Sequence, residues 1–220
     1  MADYMIIGGH GKVALLAAPL LVTAGHSVTS VIRSPAQIDD VEATGASALV
    51  LDIESATLDD LVAVFKGKDG IIWSAGAGGG DPKRTYAVDR DAAILSMDAA
   101  KQAGVQRYVM VSYYGADTDH GVPRDNSFFH YAESKAAADA YLRESGLDWT
   151  ILGPTTLTLD EPTGKISLGE TFGRDASKGT VSRGNVARTI VAALEHKNTI
   201  GKDLPYSDGD VEIEEAFAQA

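Results

Sequence analysis

The sequence predicts an α/β fold in which a single doubly wound parallel sheet carries helices on both faces. Apolar segments of strand length alternate with segments of helix length along the chain, a pattern typical of strand–helix–strand units. The strand segments are apolar throughout, as expected of strands buried on both faces of a parallel sheet. The chain has 220 residues, and we expect residues 1–220 to form one domain.

Short and often β-branched segments predict the strands. In order, they are Tyr4–Ile7, Ser27–Ile32, Ser47–Leu51, Gly70–Trp73, Arg107–Val111, Trp149–Leu152, Lys165–Leu168 and Asp203–Tyr206. The segments with helical spacing are longer, and a glycine that can end a helix follows most of them. In order, they are Val13–Ala24, Ala36–Thr44, Leu58–Phe65, Thr85–Ala103, Phe129–Ser145 and Gly184–His196.

The composition argues against several classes of protein. The chain has 31 acidic and 19 basic residues, a net charge of −12, so we expect no nucleic-acid partner. It has no cysteine, which excludes disulfides and Cys-ligated metals. The start, Met1–Ile7, lacks the basic region of a signal peptide. The longest apolar run, Val13–Val22, contains Pro19 and is shorter than the roughly 20 residues that cross a bilayer. We expect a cytoplasmic protein with no membrane partner.

A glycine-rich turn, Gly8–Ala14, joins the first predicted strand to the first predicted helix. Glycine permits a tight turn and close approach of a pyrophosphate, and the helix N-terminus supplies free N–H groups. The strand–turn–helix context favours dinucleotide binding over a purely structural turn. The expected contacts are Gly8, Gly9, His10, Gly11, Lys12 and Val13.

The end of the second strand carries Arg33 and Ser34. Sites that prefer NAD have an Asp or Glu at this point, which binds the ribose 2′-hydroxyl. A guanidinium instead matches a 2′-phosphate through paired, charge-assisted hydrogen bonds. The alternative is a solvated surface arginine. We expect NADP(H) to be preferred over NAD(H).

Two further strand ends extend the predicted cofactor site. Asp52 and Ile53 follow the third strand and are expected to hold an adenine; the alternative is that Asp52 caps a helix or turn. Ser74, Ala75 and Gly76 follow the fourth strand. Their small side chains leave room for the ribose and nicotinamide side of the cofactor.

Tyr131 and Lys135 lie four residues apart in a predicted helix and therefore share one face. A free phenol has a pKa of about 10 and is a poor acid–base catalyst near neutrality. A nearby ammonium group lowers that pKa, which gives the spacing a chemical rationale. The alternative is a half-buried tyrosine and a surface lysine.

These segments resemble the short-chain dehydrogenase/reductase superfamily, in particular its atypical single-domain NAD(P)H-binding members near the flavin/biliverdin-IXβ reductases and the epimerase-like proteins. The resemblance spans about residues 4–156 and implies a Rossmann-type sheet. The stretches that carry it are Gly8–Ala14, Val88–Ile94, Gly104–Ser112, Tyr131–Lys135 and Ser145–Leu152.

The resemblance implies roles for individual residues. Tyr131 would transfer the proton, Lys135 would lower its pKa and hold the ribose, and Ser112 would bind the substrate carbonyl or hydroxyl. Pro154 and Thr155 would join Lys135 as cofactor contacts. Two positions depart from the pattern, because Tyr113 replaces a common second serine and Gly153-Pro154 stands where many relatives have Arg-Pro.

Two functions are compatible with these features. The first is an NADP(H)-dependent oxidoreductase acting on a small carbonyl, quinone, flavin-like or sugar-derived substrate, with epimerisation as a variant. The second is an NADP(H)-binding regulator or redox sensor with little catalysis. The Tyr131–Lys135 pair favours the enzyme, whereas the missing second serine favours the sensor. We expect residues 154–182 to include the segment that covers a small-molecule substrate.

The sequence leaves a homo-oligomer open and predicts no metal site. His120, Asp117 and Asp119 lie together in a loop with Gly115 and Gly121. We interpret them as solvated turn residues rather than as metal ligands.

Overall fold

A computed structural model of the protein describes residues 1–78, 81–169 and 179–220. The strands of its main sheet are β1 (Asp3–Ile7), β2 (Ser27–Ile32), β3 (Ser47–Val50), β4 (Gly70–Trp73), β5 (Arg107–Val111), β6 (Asp148–Pro154), β8 (Lys165–Leu168), β10 (Lys202–Asp208) and β11 (Val211–Glu212). They lie in the order β11-β8-β10-β6-β5-β4-β1-β2-β3. From β3 to β10 every pairing is parallel, which confirms the predicted fold class. β8 is antiparallel to β10 and β11.

Helices cover both faces of the sheet. They are α1 (Ala14–Thr23), α2 (Ile38–Glu42), α3 (Leu58–Phe65), α4 (Pro82–Thr85), α5 (Ala93–Ala103), α6 (Phe129–Glu144), α7 (Arg183–Glu195) and α8 (Ile213–Ala218). One apolar core joins α1, α7 and α8 to one face, and a second core joins α3, α5 and α6 to the other. Alternate residues of a strand point to opposite faces, so Ile6 lies in the first core and Ile7 in the second.

The predicted helix Thr85–Ala103 is divided in the structure. Between α4 and α5, residues Tyr86–Ala92 form a wider π-helical turn. Asp89 lies within this turn, is almost fully buried and accepts a hydrogen bond from the backbone N–H of Ala77 at 3.0 Å. The apolar periodicity did not reveal this interruption, because an inserted π turn preserves the helical course.

Several short elements in the C-terminal part of the chain were not predicted from the sequence. β7 (Thr156–Thr158) and β9 (Thr180–Ser182) form a separate two-stranded parallel sheet, and α8 packs against α7. These strands are only three residues long and too short to show a periodicity. Residues 170–178 of the predicted substrate-covering segment lie outside the described residues. In the described ranges, no helix has both the length and the apolar character needed to span a bilayer.

Candidate functional site

The glycine turn after β1 is packed directly against neighbouring strand ends. Gly8 has a φ of +84°, and a Cβ there would lie 2.5 Å from the Cα of Ala75. Gly9 donates a hydrogen bond to the carbonyl of Val31 at 2.8 Å, and a Cβ on it would lie 2.4 Å from the Cβ of Ser30. Both positions therefore require glycine for the backbone to fit.

The end of this turn forms a backbone cradle at the start of α1. A Cβ on Gly11 would lie 3.1 Å from the carbonyl oxygen of Gly8, so a larger residue would fill the cradle. Val13 precedes the helix and provides no side-chain cap, and the first turn carries no acidic residue. The unpaired N–H groups of a helix start are a binding site for an anion. This geometry fits the pyrophosphate of a dinucleotide.

A groove of about 210 Å³ begins at this cradle. Nine predicted cofactor residues line it, namely Gly8, His10, Gly11, Arg33, Asp52, Ile53, Ser74, Ala75 and Gly76. Gly9, Lys12, Val13 and Ser34 are not among its lining residues. Most of the predicted contacts thus converge on one cavity, because the carboxyl ends of β1 to β4 meet at the same edge of the sheet.

Several of the predicted cofactor residues also make local hydrogen bonds. His10 contacts Asp40 through Nε2 and Oδ2 at 2.8 Å. Ser34 caps the turn that follows it, accepting from the N–H of Ala36 at 3.3 Å. Asp52 accepts a hydrogen bond from the N–H of Glu54 at 3.1 Å. Asp52 therefore caps a turn and also lines the groove.

Glu54 and Arg84 line the groove beside Arg33, and sequence reasoning missed both. The Glu54 Oε1 atom lies 2.7 Å from the Nε of Arg84 and 3.7 Å from the Nη1 of Arg33. Arg84 also donates to the carbonyl of Ala77 at 3.2 Å. Neither residue belongs to a recognisable motif, and the only signal for Glu54 was its position two residues after Asp52.

The buried carboxylate of Asp89 supports the loop after β4. Its Oδ2 accepts from Ala77, and its Oδ1 has no hydrogen-bond partner among the described residues. Burial raises the pKa of Asp89, while the Ala77 hydrogen bond and the Lys135 charge oppose that rise. A Cβ on Gly76 would lie 3.2 Å from Oδ1. Asp89 therefore packs beneath this loop and accepts a hydrogen bond from its backbone.

Helix α6 presents Tyr131, Lys135 and Asp139 at intervals of four residues, so they lie along one face. Lys135 is almost fully buried, which excludes the surface-lysine alternative. Its Nζ donates to the carbonyl of Val111 at 2.9 Å and contacts the sulfur of Met110 at 3.1 Å. Burial lowers the pKa of Lys135, and the charges of Asp139 and Asp89 oppose that change.

Ser112 directly follows β5, and its hydroxyl donates a short hydrogen bond to Asp139 Oδ2. Asp139 is fully buried. Burial raises its pKa to about 6, although the Lys135 charge and the Ser112 hydrogen bond both favour the ionised form. Ser112, Lys135 and Asp139 thus form one buried polar cluster, and sequence reasoning did not identify Asp139.

Tyr131 is partly buried within a group of aromatic rings. Its ring centroid lies 5.6 Å from that of Tyr113 and 5.3 Å from that of Phe128. Burial raises the pKa of Tyr131, and the carboxylates of Asp89 and Asp139 add to the rise. The direction is opposite to the sequence expectation, because burial and the two nearby carboxylates disfavour the charged phenolate. The phenol is accordingly neutral at physiological pH.

Pro154 and Thr155 lie at the end of β6. The carbonyl of Pro154 accepts from the N–H of Tyr114 at 2.8 Å, and Thr155 donates its N–H to the carbonyl of Tyr206 at 3.0 Å. The buried Thr155 hydroxyl has no hydrogen-bond partner in the part of the chain that the structure describes. Neither residue lines the 210 Å³ groove, and the same is true of Ser112, Tyr131 and Lys135.

The loop around His120 is organised by local hydrogen bonds. Asp117 Oδ1 accepts from the N–H of Asp119 at 2.7 Å, and His120 Nδ1 accepts from the N–H of Val122 at 3.0 Å. These are the contacts of turn residues.

Comparison with known proteins shows the family to which this chain is similar. The model of a family described as NAD(P)H-binding matches residues 8–197. An uncharacterized sugar epimerase of Bacillus subtilis is 33% identical over 217 residues, covering 96% of this chain and 97% of the relative. These matches extend over nearly the whole chain.

Two solved structures are similar to this chain. A candidate NAD-dependent epimerase/dehydratase from Bacillus halodurans has a TM-score of 0.91 and 28% identity, and the match covers 100% of both chains. An oxidoreductase from Lactococcus lactis has a TM-score of 0.86 and 26% identity, covering 99% of this chain and 95% of that chain.

Proposed function

This chain belongs to the NAD(P)H-binding family, and from this premise we propose that it is an NADP(H)-dependent oxidoreductase of the short-chain dehydrogenase/reductase type. Its substrate would be a small carbonyl, quinone, flavin-like or sugar-derived molecule. Epimerisation is the enzymatic variant, supported by the name of the Bacillus subtilis relative.

One observation carries this proposal. On α6, Lys135 donates to the carbonyl of Val111 at the end of β5, and the ring of Tyr131 lies 5.6 Å from that of Tyr113, which follows β5. In the sheet β5 is adjacent to β4, and the residues that follow β4 line the groove. A groove for a dinucleotide and a buried acid–base cluster therefore occupy the same edge of the sheet. Ligands of open α/β sheets bind outside this carboxyl edge.

The cofactor would occupy the groove through contacts that the geometry supports. The backbone at Gly8–Gly11 and the start of α1 would bind the pyrophosphate. Arg33 would bind a 2′-phosphate, with Glu54 as a competing carboxylate 3.7 Å away. Thr155, whose buried hydroxyl lacks a partner among the described residues, would donate to the nicotinamide side.

The proposed chemistry divides between the cofactor and the chain. NADPH supplies a hydride when it is bound. Tyr131 would hold a proton on its neutral phenol and donate it to the substrate oxygen, because burial keeps its pKa above the ordinary value. Lys135 would bind a ribose hydroxyl with the hydrogen that Val111 and Met110 leave free. Ser112 would orient the substrate oxygen.

The second candidate is an NADP(H)-binding regulator or sensor. The observation that favours it is the orientation of Ser112, whose hydroxyl donates to Asp139. A substrate oxygen would have to compete with that buried carboxylate for the serine.

One experiment separates the two functions. Oxidation of NADPH is followed at 340 nm with a panel of quinones, flavins and aldehydes, alongside a direct measurement of NADPH binding. An oxidoreductase turns over at least one member of the panel. A protein that binds NADPH but oxidises it with none of them is assigned to the sensor class. A protein that fails to bind NADPH contradicts both functions.

The domain organisation is proposed from the sequence. Residues 1–220 would form a single dinucleotide-binding domain, and the segment within 154–182 would cover the substrate. The exposed Leu159 lies in the described part of that segment and offers an apolar contact.

A further inference from the structure

A second cavity, of about 600 Å³, lies between α6 and the ends of β6 and β10. No residue in the described ranges lines both this cavity and the cofactor groove. The only member of the buried polar cluster in its wall is Asp139. Its volume is within the range of small-molecule sites, and neither the predicted cofactor contacts nor Ser112, Tyr131 and Lys135 line it.

Two buried polar atoms in the cavity wall lack hydrogen-bond partners among the described residues. One is the Oδ1 of Asp139, whose other oxygen accepts from Ser112. The second is the hydroxyl of Tyr113. An unpaired buried polar group costs about 1–3 kcal/mol, and this cost is relieved when a ligand supplies the missing partner. Asp139 Oδ1 specifically requires a donor.

The charges around the cavity favour a cation. Its wall includes the carboxylates of Asp117, Asp139 and Asp203. Arg143 is the guanidinium in the wall, and it is engaged by Asp203 in a bidentate pair with N–O distances of 2.9 and 3.0 Å. Lys135 offsets part of the Asp139 charge from behind. Among the described residues of the wall, carboxylates therefore outnumber guanidinium groups, and an anionic ligand would face net repulsion.

The remaining wall is apolar and offers a surface to a carbon chain. Ile151, Leu204 and Pro205 line it, and Gly153 contributes no side chain. A Cβ on Gly153 would lie 3.3 Å from the carbonyl oxygen of Tyr113, so the backbone passes close by here. A ligand with a cationic head and a short alkyl chain matches both parts of the wall.

We propose that this cavity binds a small organic cation with N–H donors, an alkylguanidinium or alkylammonium, whose head hydrogen-bonds Asp139 Oδ1 and whose chain lies against Ile151 and Leu204. The site is separate from the cofactor groove. Binding requires neither NADPH nor turnover, so it can be tested whether or not the proposed function holds.

The test uses n-butylguanidinium chloride as the probe and n-butylurea as its neutral counterpart of similar shape. Calorimetric titrations are made at pH 8, where Asp139 is ionised, at constant chloride concentration. The described groups that interact with Asp139 are Lys135, Arg143, Ser112, Asp203, Tyr108, Tyr113 and Tyr131. We expect the guanidinium to bind at least 10-fold more tightly than the urea, because only the cation makes a charge-assisted hydrogen bond.

Variants locate the site. Asp139→Asn should weaken n-butylguanidinium binding by roughly 10- to 150-fold, the equivalent of one hydrogen bond to a charged group. Asp91→Asn removes an exposed carboxylate outside the cavity and should change nothing. Ala116→Phe places a ring in the cavity wall without altering Asp139, and should also abolish binding. If Asp139→Asn does not fold, the loss or retention of binding in Ala116→Phe tests the proposal.

Three results would overturn the proposal. The first is equal binding of n-butylguanidinium and n-butylurea. The second is unchanged binding in folded Asp139→Asn or in Ala116→Phe. The third is mutually exclusive binding with NADPH in the wild-type protein, which would place the cation in the cofactor groove, where Glu54 also offers a carboxylate.

Discussion

Arg84 holds the carboxylate of Glu54 inside the cofactor groove, with 2.7 Å between Nε and Oε1. The same oxygen lies 3.7 Å from the Nη1 of Arg33, whose side chain is 57% exposed. The arginine proposed to bind a 2′-phosphate thus has a carboxylate beside it. We expect the preference between NADPH and NADH to depend on the balance between Arg33 and Glu54, which two substitutions test.

Removing the Arg33 guanidinium should reduce NADPH affinity. Arg33→Ala is expected to weaken NADPH binding by roughly 10- to 150-fold, since one charge-assisted hydrogen bond is worth about 1.5–3 kcal/mol. NADH lacks the 2′-phosphate, so its affinity should change less than threefold. Fluorescence titrations with both cofactors measure this, with the exposed Arg188→Ala as control. Equal wild-type affinity for NADPH and NADH would contradict the preference itself.

Neutralising Glu54 should have the opposite effect. Glu54→Gln removes a negative charge near the proposed 2′-phosphate and releases Arg33, so NADPH affinity should rise about 3- to 10-fold, the scale of a partly screened charge pair. NADH affinity should stay nearly constant. The exposed Glu42→Gln is the matched control. A loss of NADPH affinity in Glu54→Gln would show that Glu54 instead supports the cofactor.

Gly8 should tolerate no side chain, whereas Gly25 should tolerate a small one. Both have positive φ, +84° and +88°, but only Gly8 has a neighbour in the path of a Cβ, the backbone of Ala75 at 2.5 Å. Gly25→Ala should cost about 1 kcal/mol of unfolding free energy for its backbone conformation. Gly8→Ala should cost at least about 2 kcal/mol more, because the strand ends must move apart. Similar unfolding midpoints in urea for the two variants would contradict this.

Tyr131 should be the proton donor. Tyr131→Phe keeps the ring and its contacts with Tyr113 and Phe128, so turnover on a verified substrate should fall by about 10²–10⁴. NADPH affinity should be retained. Tyr113→Phe is the matched comparison, because it removes a phenol 5.6 Å away between ring centroids. If turnover depends on Tyr113 and not on Tyr131, the proton donor has been misassigned. If it depends on neither, the proton comes from water or from the substrate.

Because of Asp139, the free energy of unfolding should decrease as the pH rises through 6. An unfolded Asp has a pKa near 3.9, and burial raises the folded value to about 6. Protonated Asp139 therefore contributes stability that is fully present below about pH 4 and is lost as the pH rises through 6. Between pH 4.5 and 7.5 this loss amounts to about 2 kcal/mol.

Urea unfolding across that pH range measures the effect. Residue 139 cannot titrate in Asp139→Asn. Between pH 4.5 and 7.5 this variant should therefore lose about 2 kcal/mol less unfolding free energy than the wild type. The exposed Asp91→Asn should follow the wild type. Parallel curves for the wild type and Asp139→Asn would show that Asp139 titrates normally in the folded protein.

The sequence by itself determined the strand–helix framework and the place of the glycine turn. Ser27–Ile32, Leu58–Phe65 and Gly70–Trp73 have the predicted bounds in the structure. These features are local: side-chain periodicity, β-branching and the freedom of glycine act within a few residues. Gly8 and Ser74 each follow directly after a strand, and the carboxyl ends of parallel strands meet at one edge of the sheet, so their convergence on one groove could also be predicted.

Only the tertiary structure determined which charges meet. Glu54 contacts Arg84 across 30 residues of sequence, and Ser112 contacts Asp139 across 27. No local pattern specifies such pairs, because they depend on how crossovers bring separate strand ends and helices together. Burial also determined the protonation of Tyr131, raising a pKa that its spacing to Lys135 had been expected to lower. The cost of desolvating a phenolate is a property of the packed interior and cannot be read from four residues of sequence.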